Sequence, residues 1–316
     1  MTAAVRYRIR HHTAYDYTAD VVHSHQLLHL VPRPAPYQEC LEHLIDIAPG
    51  GFRRRDQTDA FGNPVMHIEF EHPHRRLSVS SEIDINVYAR PAISALDTHL
   101  WERVVKNLSY HAQEPGRDVL EACRFRHESP YVRLKTAFSD YAEDCFDSDR
   151  PVLSCAEALM TKLHSDMTYA PGETTISTPL LDVLETRRGV CQDYAHLMIA
   201  CLRSRGLAAR YVSGYVRGLS ALGTTPGAAR TTESPGVPGG NASLVGGGAS
   251  HAWVAVYSPP FGWLELDPTN NKHVGTEHIG IAWGRDFGDV SPLRGIILGG
   301  GNHQLYVNVT VEPVGA

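Results

Sequence analysis

The chain has 316 residues, 42% hydrophobic and 20% charged, the balance of an ordinary folded protein rather than a disordered or fibrous one. A net charge of -6 and a pI near 6.3 offer no basic footprint for nucleic acid or an anionic membrane. The length favours two domains over one very large one.

The opening MTAAVRYRIRHHTAYDY lacks an apolar signal region, and no later segment offers about 18 uninterrupted apolar residues, so a cytoplasmic protein without a membrane span is expected. Six cysteines (Cys40, Cys123, Cys145, Cys155, Cys191, Cys201) are sparse and irregularly spaced, which favours reduced thiols. No CxxC pair supports a zinc ribbon or a thioredoxin-type site.

Residues 1–90 alternate as strands do: Val5, Tyr7 and Ile9; Ile45 and Ile47; Met66, Ile68 and Phe70; Leu77 and Val79, then Ile83, Ile85 and Val87. Turn formers separate them at Pro32, Pro34 and Pro36, at Pro49 with Gly50 and Gly51, and at Gly62, Asn63 and Pro64. An N-terminal antiparallel β accessory domain over 1–90, ending near Pro91, is expected, with a helical segment and the catalytic core in 91–316. From about 95 to 188 the period becomes helical, as in LWERVVKNL and YVRLKTAFSDYAEDCF. Ser154 with Glu157 reads as a capping box, and Thr178 before Pro179 as a cap plus first-turn proline.

CQDYAHLMIACLRSRG predicts a helix beginning near Cys191 and closed by Gly206. Its apolar residues occupy most of the circumference, so it is expected to be a buried central helix. LAARYVSGYV reads as a strand, and the Gly-, Ser- and Pro-crowded stretch 218–250 as a flexible loop, expected to border the cleft and act as a lid or to be linker slack. HAWVAVY and WLELD predict two strands joined by the SPPFG turn, and LYVNVTVEP a closing strand.

Cys191 follows a glycine by two residues at a predicted helix start, where free backbone N–H groups and the helix dipole favour a thiolate. A lone helical cysteine is more often inert filler, which is the reading given to Cys201. His251 opens a strand whose alternation puts His251, Trp253 and Ala255 on one face. Asp267 ends the next strand, where its carboxylate can orient that imidazole, with Glu265 as a less well placed rival.

YAPGET from Tyr169, RGVCQDYAH from Arg188, GLAARYVSGY from Gly206, HAWVAV from His251 and GWLELDPT from Gly262 resemble the bacterial transglutaminase-like superfamily. HLVPR from His29 and DAFGN from Asp59 resemble the β domain preceding such cores, and GRDFGDVSPLRG from Gly284 extends the likeness, which the 218–250 loop interrupts. The resemblance implies an α+β protein: the N-terminal β domain, then a papain-like, transglutaminase-like core with a central helix on an antiparallel sheet. It also implies a Cys191, His251, Asp267 triad, with Gln192 and Trp253 beside the site. A second oxyanion donor is implied at Tyr169, for which packing is an equal alternative. The expected chemistry is acyl transfer on a protein or peptide substrate through a thioester, with hydrolysis ahead of transamidation and no cofactor. A non-catalytic binding protein retaining the fold is the reading from another class.

The histidine pairs His11 with His12, His23 with His25, and His72 with His74 could suggest a metal site, but their spacing is poor and no HExxH motif accompanies them. No metal site is expected there. DCFDSD from Asp144 lacks the glycine and terminal glutamate of an EF-hand.

Overall fold

A computed structural model describes residues 4–109, 116–218, 245 and 249–315. The first five strands are β1 (Ala4–Leu28), β2 (Gln38–Ala48), β3 (Arg53–Thr58), β4 (Pro64–Phe70) and β5 (His74–Tyr88). The expected alternation holds in β4 and β5, where Met66, Ile68, Phe70, Leu77, Val79, Ile83, Ile85 and Val87 are buried. Four helices follow: α1 (Trp101–Asn107), α2 (Arg117–Cys123), α3 (Thr136–Ala142) and α4 (Val152–Asp166). Then come β6 (Thr168–Tyr169), α5 (Leu180–Thr186), β7 (Arg188–Gly189) and α6 (Cys191–Ser204). The chain ends with β8 (Ala209–Val216), β9 (His251–Tyr257), β10 (Trp263–Asp267), β11 (Lys272–His273), β12 (His278–Gly284), α7 (Phe287–Val290), β13 (Leu293–Gly299) and β14 (His303–Pro313). No helix among the described residues is long and apolar enough to cross a membrane.

The fold is α+β with two antiparallel sheets. The first runs β2-β5-β1-β4-β3, with β13 and β14 also paired to β1; the second runs β11-β10-β9-β8-β12. Residues 293–313, grouped from sequence with the second domain, therefore complete the first sheet. The long β1 serves as its spine: residues 7–17 pair with β14 and residues 21–28 with β13.

Two expected helix starts move. Helix α4 begins at Val152 after Pro151, so Ser154 lies inside its first turn without capping it, and Glu157 instead meets His273 Nε2 at 2.7 Å. Helix α5 is preceded by Pro179 rather than Thr178, whose hydroxyl accepts from the Thr175 N–H at 2.9 Å. In both cases the proline sets the boundary: its fixed φ suits the residue flanking a helix, and it has no N–H to satisfy.

The central helix α6 is as expected. Every residue is buried except Gln192 and Ser204, and it ends at Gly206, whose φ of +85° supplies the left-handed turn after a helix. Arg203, only 2% exposed, pins this end by donating to the carbonyls of His127, Ala209 and Arg285. The helix packs on β8 and β9, all of whose residues are buried. One core runs from α6 through β9 to Tyr7, Ile9, Ile83 and Ile85 of the first sheet.

Candidate active site

Cys191 is the first residue of α6, where backbone N–H groups have no partner within the helix. The helix start is organised by Asp193, whose Oδ2 accepts from the Val190 N–H at 2.8 Å and the Thr174 hydroxyl at 2.6 Å. Gly189 makes room for this: a Cβ there would lie 2.6 Å from that same oxygen. Cys191 keeps 8% of its exposure, so it is sheltered but reachable. Cys201 is fully buried, and burial pushes its thiol far up.

His251 opens β9 and Asp267 closes β10, across an antiparallel pairing that sets Leu266 against Val254. The His251 Nε2–H donates to Asp267 Oδ2 at 2.8 Å, with both side chains fully shielded from solvent. The other nitrogen, Nδ1, is buried and lacks a hydrogen-bond partner of ordinary geometry. Cys191 is near enough to help raise the imidazole pKa, and Nδ1 is the ring nitrogen that Asp267 leaves free. Catalytic hydrogen bonds are often loose without substrate. Burial alone would lower the His251 pKa, but the charges of Asp267 and Cys191 outweigh it and raise it to about 10.

Asp267 is held on both oxygens. Oδ1 accepts from the backbone N–H groups of Thr269 and Asn270 at 3.0 and 3.2 Å. Oδ2 accepts from His251, from Asn270 Nδ2 at 2.7 Å and from His278 Nε2 at 3.1 Å. Burial would raise this carboxyl, yet the two histidines hold it well below the usual carboxylate range. His278 and Asn270 were not identified from sequence. His278 Nδ1 accepts from the Gly275 N–H at 3.3 Å, which leaves Nε2 as the donor to Asp267.

The rival Glu265 is occupied elsewhere, accepting from Trp253 Nε1 at 2.6 Å and pairing with Arg90 at 3.0 Å. Trp253 sits beside the site, its ring 6.1 Å from His251 and 5.4 Å from His278. Gln192, next to Cys191 on the first turn of α6, is half-buried. Tyr169 is half-buried where burial, then the charges of Cys191, Tyr194 and Asp193, raises its phenol. Tyr211 of β8, unremarked in the sequence, feels Cys191 in the same way and is fully buried. The expected lid falls in 218–250, of which 219–244 and 246–248 lie outside the described residues. Cavities of about 620 and 700 Å³ are lined by residues away from Cys191, so volume does not mark this site.

Residues 7–86 match the bacterial transglutaminase-like N-terminal region, and residues 139–268 match the transglutaminase-like superfamily. An uncharacterized protein of Mycobacterium tuberculosis is 35% identical, covering 98% of this chain and 92% of that one. The chain belongs to the transglutaminase-like superfamily. A Pseudomonas aeruginosa protein-glutamine gamma-glutamyltransferase is 32% identical over 120 residues, 36% of this chain and 16% of that protein. Among solved structures, a Cytophaga hutchinsonii protein described as a candidate cysteine protease shares the fold, with a TM-score of 0.72 and 17% identity over 100% of this chain and 92% of that one. The transglutaminase-like core and the arrangement around Cys191 together support cysteine-based catalysis.

Proposed function

We propose that the protein cleaves a peptide or carboxamide bond through a thioester on Cys191, with water as the acceptor. The observation that carries this is His251: buried, fixed through Nε2 to Asp267, with Nδ1 unpartnered and its pKa raised by both Asp267 and Cys191. Nδ1 takes the thiol proton, giving a thiolate and an imidazolium. The thiolate attacks the carbonyl carbon, and the oxyanion accepts from the Cys191 N–H, with Tyr169 as the candidate second donor. His251 then protonates the departing amine as the C–N bond breaks. A water molecule, deprotonated by His251, attacks the thioester; the acid leaves and the thiol is restored. Asp267 orients the ring and stabilises its charged form.

A second reading is favoured by the likeness to the Pseudomonas gamma-glutamyltransferase: an amine, not water, attacks the same thioester. A glutamine-containing protein offered with a fluorescent primary amine separates the two. Fragments without label, abolished in Cys191→Ala, are expected. Label incorporated without fragments would replace hydrolysis by transamidation, and a Cys191→Ala variant as active as the parent would reject both. The six free cysteines suit a reducing compartment, in keeping with a cytoplasmic location.

A further inference from the structure

His23 and His25 stand two apart on β1, so alternation puts both imidazoles on one face of the first sheet. Register places Glu69 of β4 directly opposite His25. The two Nε2 atoms lie 2.9 Å apart, and Glu69 Oε1 is 3.6 Å from His23 Nε2 and 3.5 Å from His25 Nε2. A hydrogen bond between the two rings accounts for the first distance, and an ion pair would account for the other two only with a histidine protonated; at 3.5–3.6 Å neither is an ordinary N–H···O bond.

A single ion would draw the three groups together without requiring a charged imidazole. Zinc bound tetrahedrally at 2.0–2.1 Å separates its ligands by roughly 3.3–3.4 Å, close to the 3.5 and 3.6 Å to Glu69, and the two imidazoles at 2.9 Å have only to part by a few tenths of an ångström to admit it. Two neutral imidazoles and one carboxylate are also the donor types that such a cation selects over magnesium or calcium. Arg53, opposite Glu69 from the other side, turns to Glu71 at 3.1 Å, leaving the Glu69 carboxylate to the histidines. The spacing of the two histidines alone does not show the third ligand, which comes from a strand more than forty residues later.

We propose that His23, His25 and Glu69 form a zinc-class divalent cation site with a solvent-facing fourth position. It ties β1 to β4 and is separate from the Cys191 centre, which is built from helix α6 and the second sheet. Full-length protein stripped with chelator and titrated with zinc by calorimetry tests this. One zinc per chain is expected, weakened at least tenfold in His25→Ala and in Glu69→Gln, and unchanged in Cys191→Ala. Excess magnesium should not compete, and cobalt should give the visible spectrum of a tetrahedral ion. Zinc binding that survives both surface variants, depends on Cys191, or is displaced by magnesium overturns the site, as does the absence of binding at micromolar zinc. All three side chains are partly exposed, so the variants should fold, which circular dichroism verifies.

Discussion

His251 keeps its proton to higher pH than a free imidazole because Asp267 and Cys191 together outweigh its burial. Its raised pKa therefore stabilises the fold fully below the ordinary value of 6.5, and that contribution is lost as pH rises through about 10. The depressed Asp267 carboxyl works in the opposite direction, its contribution present above its ordinary value of 3.8 and lost as pH falls. Replacing Cys191 by alanine removes one of the two groups that raise the His251 pKa, so the His251 titration followed by NMR should move to lower pH. An unmoved midpoint would separate the thiol from the imidazole. His278 acts one step further back, through Asp267. His278→Ala should lower kcat about tenfold, the equivalent of about 1.4 kcal/mol and comparable to one hydrogen bond to a charged group. The His251 midpoint should shift in that variant, and His278→Gln, which keeps a donor, should recover part of the rate. A loss of melting temperature alone, with kcat and the midpoint intact, would reduce His278 to packing.

At the scale of elements, the nucleophile depends on how α6 begins. Gly189→Ala should drive the Asp193 carboxylate off the Val190 N–H, at a cost of about 1–2 kcal/mol for the lost cap, and should lower kcat/KM through displacement of Cys191. In an Asp193→Gly background the same substitution has neither the carboxylate nor the Asp193 Cβ to strike, so thermal denaturation should show a much smaller second loss. Additive losses would contradict the steric account. The start of α6 and the strands bearing His251 and Asp267 were legible because each lies within one run of sequence and shows its own period. His278 and Asn270 were not: they reach Asp267 through a turn and the pairing of β12 with β8, and neither leaves a mark in hydrophobic spacing. The paired histidines show the same limit, since His11 proves to be a buried link to the Tyr215 hydroxyl at 2.7 Å, whereas His23 and His25 converge on a carboxylate from another strand.

Across the whole molecule, the β domain reaches the site through β12. Alternation in a strand records which face is buried but not which neighbour it pairs with, so the return of β13 and β14 to β1 could not be read from the sequence. The motifs at His29–Arg33 and Asp59–Asn63 acquire a physical role in the fold. The Asn63 side chain accepts from the Trp283 N–H at 3.0 Å and donates to its carbonyl at 2.8 Å, as a neighbouring strand would. Arg33 donates to Asn63 Oδ1 at 2.6 Å and lies 3.0 Å over the Trp283 ring, while Gln38 bonds both the N–H and the carbonyl of Gly280. These contacts hold the strand that begins with His278. Asn63→Ala removes two bonds to buried backbone, a loss of about 2–3 kcal/mol at roughly 1 kcal/mol or more each. Hydrogen exchange should accordingly quicken across residues 278–284, with kcat falling alongside it. Quickening confined to residues 59–63, with kcat preserved, would mean that the β domain supports the core without positioning His278.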